Sequence, residues 1–147
     1  MKRLLTPVAA LVVITLFIVN CGDDAAPTVS RGTAVVTLDA FSGVPNPTWT
    51  LDTATAAELV ATWETHTITT EVEYPGTLGY RGLIVDFADG SRLWVSSGVA
   101  IDTAQDLTIA RADRDHTIEL WLLETGEATV EPTMYEALVT QIGGGQP

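Results

Sequence analysis

The rhythm of apolar and polar positions changes several times along the chain, and each change predicts an element. Residues 4–19 are almost wholly apolar and carry no charge. From 33 to 41 the sequence alternates. Val36, Leu38 and Ala40 fall on one face, and Val35, Thr37, Asp39 and Phe41 on the other, the period of a half-buried strand. Residues 42–49 break the alternation. Gly43 is free to take a positive φ, while Pro45 and Pro47 fix their own φ and push Val44 and Asn46 toward extended geometry. A rigid loop tipped by Trp49 is expected there. Between 52 and 63 the period becomes helical: Ala56, Leu59, Val60 and Trp63 recur at spacings of three and four, behind a cap at Asp52 or Thr53.

Residues 68–74 have strand character up to Pro75-Gly76. Residues 83–87 and 92–96 flank Asp89-Gly90, a favoured turn pair, and predict a hairpin. Residues 99–101 extend it, 102–105 turn, and 107–110 form one more short strand. Asp113 or Asp115 opens a second helix with Ile118, Trp121 and Leu122 on one face and Gly126 as its stop. Pro132 suits the first turn of a last helix, whose stripe is Met134, Leu138 and Ile142, with Tyr135 and Val139 beside it and Gly143 at its end. Four or five antiparallel strands and about three helices, partly segregated along the chain, predict an α+β domain with a small antiparallel sheet. The alternative, a β-sandwich, fits poorly with two well-marked C-terminal helices.

The apolar run at 4–19 belongs to a different argument. Lys2 and Arg3 precede it, and Asn20-Cys21-Gly22-Asp23-Asp24 ends it abruptly. A basic head followed by an apolar stretch is the build of an export signal, and 16 residues fall short of the ~20 of a comfortable membrane span. Ile18, Val19 and Asn20 before Cys21 resemble the lipobox of bacterial lipoproteins, with Asn20 standing where a smaller residue is usual. The resemblance implies cleavage before Cys21 and acylation of its thiol and amine, a stable anchor in the cell-envelope membrane when more than one chain is attached. The organisation expected is a signal peptide at 1–20, a lipid-anchored tether at 21–31, one domain at 32–142 and a loose tail at 143–147.

Composition sharpens this reading. The whole chain has 147 residues, 19 acids, seven bases and a charge of −12. Without the first 20 residues, five arginines, no lysine and all 19 acids remain, a side-chain charge of −14. Such a body is repelled by anionic headgroups and by nucleic acid, so attachment falls to the anchor. An envelope protein or a cationic partner is the kind of contact the charge permits. A single cysteine excludes an intrachain disulfide.

Phe41-Ser42-Gly43-Val44-Pro45-Asn46-Pro47-Thr48-Trp49 and Leu78-Gly79-Tyr80-Arg81-Gly82 resemble two motifs of small secreted bacterial proteins. That resemblance implies a shared fold and surface loops, and it supplies no catalytic residue. Asn46, Trp49, Tyr80 and Arg81 are therefore the candidate binding residues. For Trp49 a structural reading competes: its ring docks on the first helix at Ala56 and Val60. For Arg81 the competing reading is a brace for acidic neighbours.

Catalytic chemistry has a thin basis. His66 and His116 are the only histidines, 50 residues apart and outside any His-x-His or His-Glu-x-x-His pattern. With no second thiol a zinc site would need both histidines and two acids, so no metal is expected. Gly76, Gly79 and Gly82 lack the setting of a nucleotide loop, and no cofactor is expected. Two function classes remain: a non-catalytic binding or structural module of the envelope, and a small hydrolase using His66 or His116. The second requires a histidine within about 3 Å of an acid or hydroxyl in a concave site. The first requires Trp49 or Tyr80 on an open surface.

Overall fold

The computed structural model describes residues 30–40, 43, 45–72 and 79–144. The signal segment, Cys21, most of the tether, Phe41, Ser42, Val44, Leu78 and the last three residues lie outside that set. Six strands and three helices make an α+β domain with the helices packed on a wholly antiparallel sheet. The strands are β1 (Ala34–Asp39), β2 (Thr48–Leu51), β3 (Gly82–Phe87), β4 (Arg92–Ser96), β5 (Val99–Ala104) and β6 (Leu107–Ala112). Their order across the sheet is β2-β1-β3-β4-β5-β6. The helices are α1 (Thr53–Thr65), α2 (Thr117–Thr125) and α3 (Pro132–Gly143).

Three tight turns set the register from β3 to β6. Gly90, at φ 86°, closes the β3–β4 loop through its N–H to the Phe87 carbonyl, 3.0 Å away. The next two hairpins turn through two residues each, Ser97-Gly98 and Gln105-Asp106, all four at positive φ. That is the primed-turn geometry that matches strand twist. The resulting register places Val36, Val85 and Leu93 in one buried row beneath the helices, and Asp102 continues the same row on β5.

The helix-facing core joins Val36, Leu38, Leu83, Val85 and Val95 to Ala56, Leu59, Val60 and Trp63 of α1 and to Ile118, Leu122 and Leu123 of α2. Each fully buried aliphatic side chain contributes about 1.5–3 kcal/mol. The expected α1 stripe is the observed one, and Asp52 is the cap, its carboxylate accepting the Thr55 N–H at 2.8 Å. On α3 the buried residues are Leu138 and Ile142, while Val139 is exposed. The Glu131 carboxylate caps that helix through the Thr133 and Met134 N–H groups.

Four sequence expectations change. Residues 48–51 are an edge strand rather than the tip of a loop, because Val36 and Thr37 pair with Trp49 and Thr48. The expected strand at 68–74 reduces, over its described part, to one bridge between Ile68 and Arg111. The expected turn at 102–105 is strand through Ala104, since Gln105 and Asp106 take the turn conformation. On α2 the buried face is Ile118, Glu119, Leu122 and Leu123, with Trp121 only half-buried. Gly126 does end α2, but at φ −102°, so left-handed backbone is not its role. A methyl group there would meet the Trp49 ring at 2.5 Å, and only glycine admits the ring.

Candidate functional site

The two loops singled out by sequence meet at one carboxylate. Asn46 donates from Nδ2 to Asp39 at 3.2 Å, and its Oδ1 accepts the Ala40 N–H at 3.2 Å. Arg81 holds Asp39 through Nε, 2.9 Å from Oδ2, and through a second nitrogen on Oδ1. The Arg81 N–H also donates to the Asp39 carbonyl at 2.7 Å. The guanidinium keeps the Asp39 carboxyl below the usual carboxylate range. Asn46 and Arg81 thus tie both loops to the end of β1, and Arg81 braces an acid as the structural reading expected.

Trp49 lies in the core. Its ring covers Gly126, and its Nε1–H donates to Thr125 Oγ1 at 2.9 Å. Its polar contact lies at the C-terminal end of α2, and its ring shares one core cluster with the expected Ala56 and Val60. Tyr80 is half-buried against the core and donates its hydroxyl to Glu119 Oε1 at 2.6 Å. Burial, and next the charge of Glu119, push its phenol well above the ordinary tyrosine value, so it remains a donor.

The same bond leads into the most unusual polar cluster of the molecule. Glu119 is 1% exposed, and its other oxygen meets His116 Nδ1 at 2.7 Å. Asp113, also 1% exposed, accepts the N–H groups of Ile118 on Oδ1 and Glu119 on Oδ2, both at 3.1 Å. Asp113 therefore opens α2, as expected, although it stands three residues before His116. His116 occupies the cap position in left-handed conformation and offers no side-chain cap of its own. His66 Nε2 faces Asp113 Oδ1 at 3.5 Å, and its Nδ1 lies 2.9 Å from the Thr62 carbonyl and donates to it. Burial pushes the Asp113 carboxyl up. The two backbone donors and the two histidines oppose that shift only in part.

Three cavities run along this cluster. The largest, about 540 Å³, touches Thr69, Glu71, Ser97, Gly98, Arg114 and His116. A second of about 310 Å³ shares Thr69, Ala112 and Arg114 with it and reaches His66. A third of about 210 Å³ shares Ser97 and His116 and reaches Tyr80 and Glu119. Together they form a groove past both histidines. His116 meets the distance required of a catalytic histidine, whereas His66 at 3.5 Å does not. Among the described residues no cluster of three or more His, Cys, Asp or Glu is arranged to hold a metal ion.

Sequence reasoning placed His66, His116 and Tyr80 apart and left Glu119 unnamed. An acid inside an apolar helix reads as a solvent-facing residue. The available signal was its spacing of three from His116, which places both on one side of the first turn. Comparison of the chain with protein-family models, with curated proteins and with solved structures finds no match.

Proposed function

We propose that the chain is exported, cleaved before Cys21 and lipidated there, and that its domain is a non-catalytic binding module displayed at the cell envelope. The groove past His66, Arg114 and His116 is the surface we assign to its ligand; with Trp49 buried, the required open ring is Tyr80, which lines the third cavity. The observation that carries this assignment is the joining of three cavities through shared walls at Arg114 and at Ser97 with His116. The anchor rests on the basic head, the apolar run and the polar residues after Cys21. Each arginine of the domain is engaged: Arg31, Arg81, Arg92 and Arg114 with acids, and Arg111 with the His66 carbonyl. Little positive surface is left for an anionic partner, so a cationic partner or an envelope protein fits best. Capture of a basic envelope protein by the full chain, lost on Glu71→Lys in the wall of the largest cavity, tests the groove. Intact mass from the native host tests the anchor: cleavage before Cys21 with added acyl mass is expected.

One observation favours a second reading, a small hydrolase. His116 Nδ1 sits 2.7 Å from buried Glu119, which leaves Nε2 to act as a base toward the cavity that Ser97 also lines. Ester turnover abolished by His116→Ala would support it. The absence of turnover on short-chain esters would leave the binding reading in place.

A further inference from the structure

A further recess lies at the other end of α2, away from the groove. The helix ends at Gly126, and the turn that follows is built on that residue: its carbonyl accepts the Thr129 and Val130 N–H groups at 2.8 and 3.1 Å. Val130 is thereby buried, while Glu127 and Ala128 stay outside. Glu131 caps α3 and Pro132 fills its first turn, so the chain re-enters helix with little freedom. Between that turn and α3 lies a cavity of about 400 Å³, lined by Glu127, Ala128, Pro132, Tyr135 and Glu136. None of these residues lines the groove.

The floor of this recess is apolar and its rim is acidic. Pro132, Tyr135 and Val139 recur at spacings of three and four, so they share one side of α3, apart from the Leu138 and Ile142 stripe that enters the core. Pro132, Ala128 and Val139 are exposed and Tyr135 is half-buried. Burial, and next the charges of Glu127 and Glu124, push the Tyr135 phenol above its ordinary value. Among the described residues none of Glu124, Glu127 and Glu136 forms an ion pair, because the five arginines of the domain are engaged elsewhere. An aromatic ring with an apolar shelf and unneutralised carboxylates beside it attracts a cation on an apolar stem. A second copy brings the same charge of −14, and anionic headgroups are repelled as well.

We propose that this recess docks a basic segment of a partner protein through an arginine or lysine side chain. The stem of that side chain lies along Ala128 and Pro132, and its charged head meets the Tyr135 ring within reach of Glu127 and Glu136. An apolar neighbour in the same segment covers Val139. The walls are fixed before the partner arrives, which lowers the cost of ordering them. The recess and the groove are separate surfaces, and either can fail without the other.

The test must separate this site from diffuse attraction to an acidic body. The full chain in detergent micelles, at about 0.15 M salt to screen distant charges, is titrated with a capped Gly-Arg-Arg-Gly peptide and followed by NMR. Saturable shifts are expected at the Tyr135 ring and the Ala128 amide, and none with capped Gly-Glu-Glu-Gly. Tyr135→Leu keeps every charge and should weaken binding about three- to fivefold, the share of a ring–cation contact at an exposed site. Glu136→Gln should weaken it about threefold. Asp106→Asn, in the turn at the far edge of the sheet, should leave it unchanged. Affinity that ignores Tyr135→Leu, or that falls equally in Asp106→Asn and Glu136→Gln, overturns the site, as does a lack of saturation at Tyr135. Shifts at Ser97 and His116 in place of Tyr135 overturn it while leaving the groove in play. Shifts at Tyr135 that grow with protein concentration alone make a second copy the occupant and also overturn it. If Tyr135→Leu fails to fold, the comparison of Glu136→Gln with Asp106→Asn decides, since both side chains are exposed.

Discussion

Buried carboxylates sit at opposite ends of the β4–β5 hairpin, and the two ends solve the same electrostatic problem differently. Asp102, on the core face of β5, meets Arg31 through two nitrogens at 2.6 and 2.8 Å. That guanidinium also lies over the Trp63 and Phe87 rings and donates to Ser91. Its charge is permanent, and the Asp102 bond raises its affinity for the proton further. At the other end, past the Ser97-Gly98 turn, Asp113 and Glu119 face histidines, and Glu119 lines an open cavity. A permanent cation with a planar fork suits a fixed joint. An imidazole, with one nitrogen to donate and one to accept, suits the wall of a groove.

The largest expected effect falls at the Arg31 end. Arg31→Met keeps much of the stem and removes the charge, leaving Asp102 buried and uncompensated. A loss of about 3–5 kcal/mol is expected in urea melts, nearly independent of pH between 6 and 8. Asp102→Leu added to Arg31→Met should recover most of it, since the isolated charge is then gone. A loss below about 1 kcal/mol would mean that this joint carries no more stability than a surface pair.

At the histidine end the matching experiment is Asp113→Ala. It strips the Ile118 and Glu119 N–H groups of their acceptor and leaves His66 without its carboxylate. About 2 kcal/mol is expected, the upper range for a lost helix cap. Urea melts beside those of Arg31→Met measure it. A loss as large as that at Arg31 would erase the contrast between the two ends.

A smaller effect separates the acids themselves. Burial raises the Asp113 carboxyl above its ordinary 3.8, so the folded chain binds that proton more tightly than the unfolded chain does. The unfolded state ionises first. Stability contributed by the proton is present at low pH and is lost as pH rises from the ordinary carboxylate range through the raised one. Asp113→Asn should flatten the stability profile over that window. Melts collected every half pH unit would show it, and an unchanged profile would place the proton elsewhere.

The contrast between the ends was only partly legible in the sequence. Element types on α1, α3 and the β3–β4 hairpin follow from local period and caps, and they came through. The chain around Arg31 reads as tether because Pro27, Ser30 and the charges near it are polar. Its anchoring partner, Asp102, is 71 residues away in a stretch that reads as a turn. Glu119 is hidden for a similar reason: its burial depends on Tyr80, 39 residues earlier. The Trp49 strand was missed because two prolines next to it mimic a loop, although the pairing of β2 begins just after Pro47. Short-range pattern reports which face is apolar, and only long-range pairing reports which polar residue is drawn into it.

The smallest expected effect is also a check on the whole comparison. Arg114 is the one permanent cation lining the histidine groove, and it points outward to Glu71, with the two side chains 74% and 79% exposed. Such pairs contribute little, because water screens the charges and two long side chains must be held still. Arg114→Gln should therefore change stability by less than about 0.5 kcal/mol, and added salt should reduce even that. The substitution leaves Asp113, Glu119 and both histidines untouched. If Arg114 instead neutralised the buried acids from across the groove, its loss would cost more than about 1 kcal/mol. Urea melts of Arg114→Gln distinguish the cases. A large loss would make the two ends of the hairpin alike, each acid held by a guanidinium.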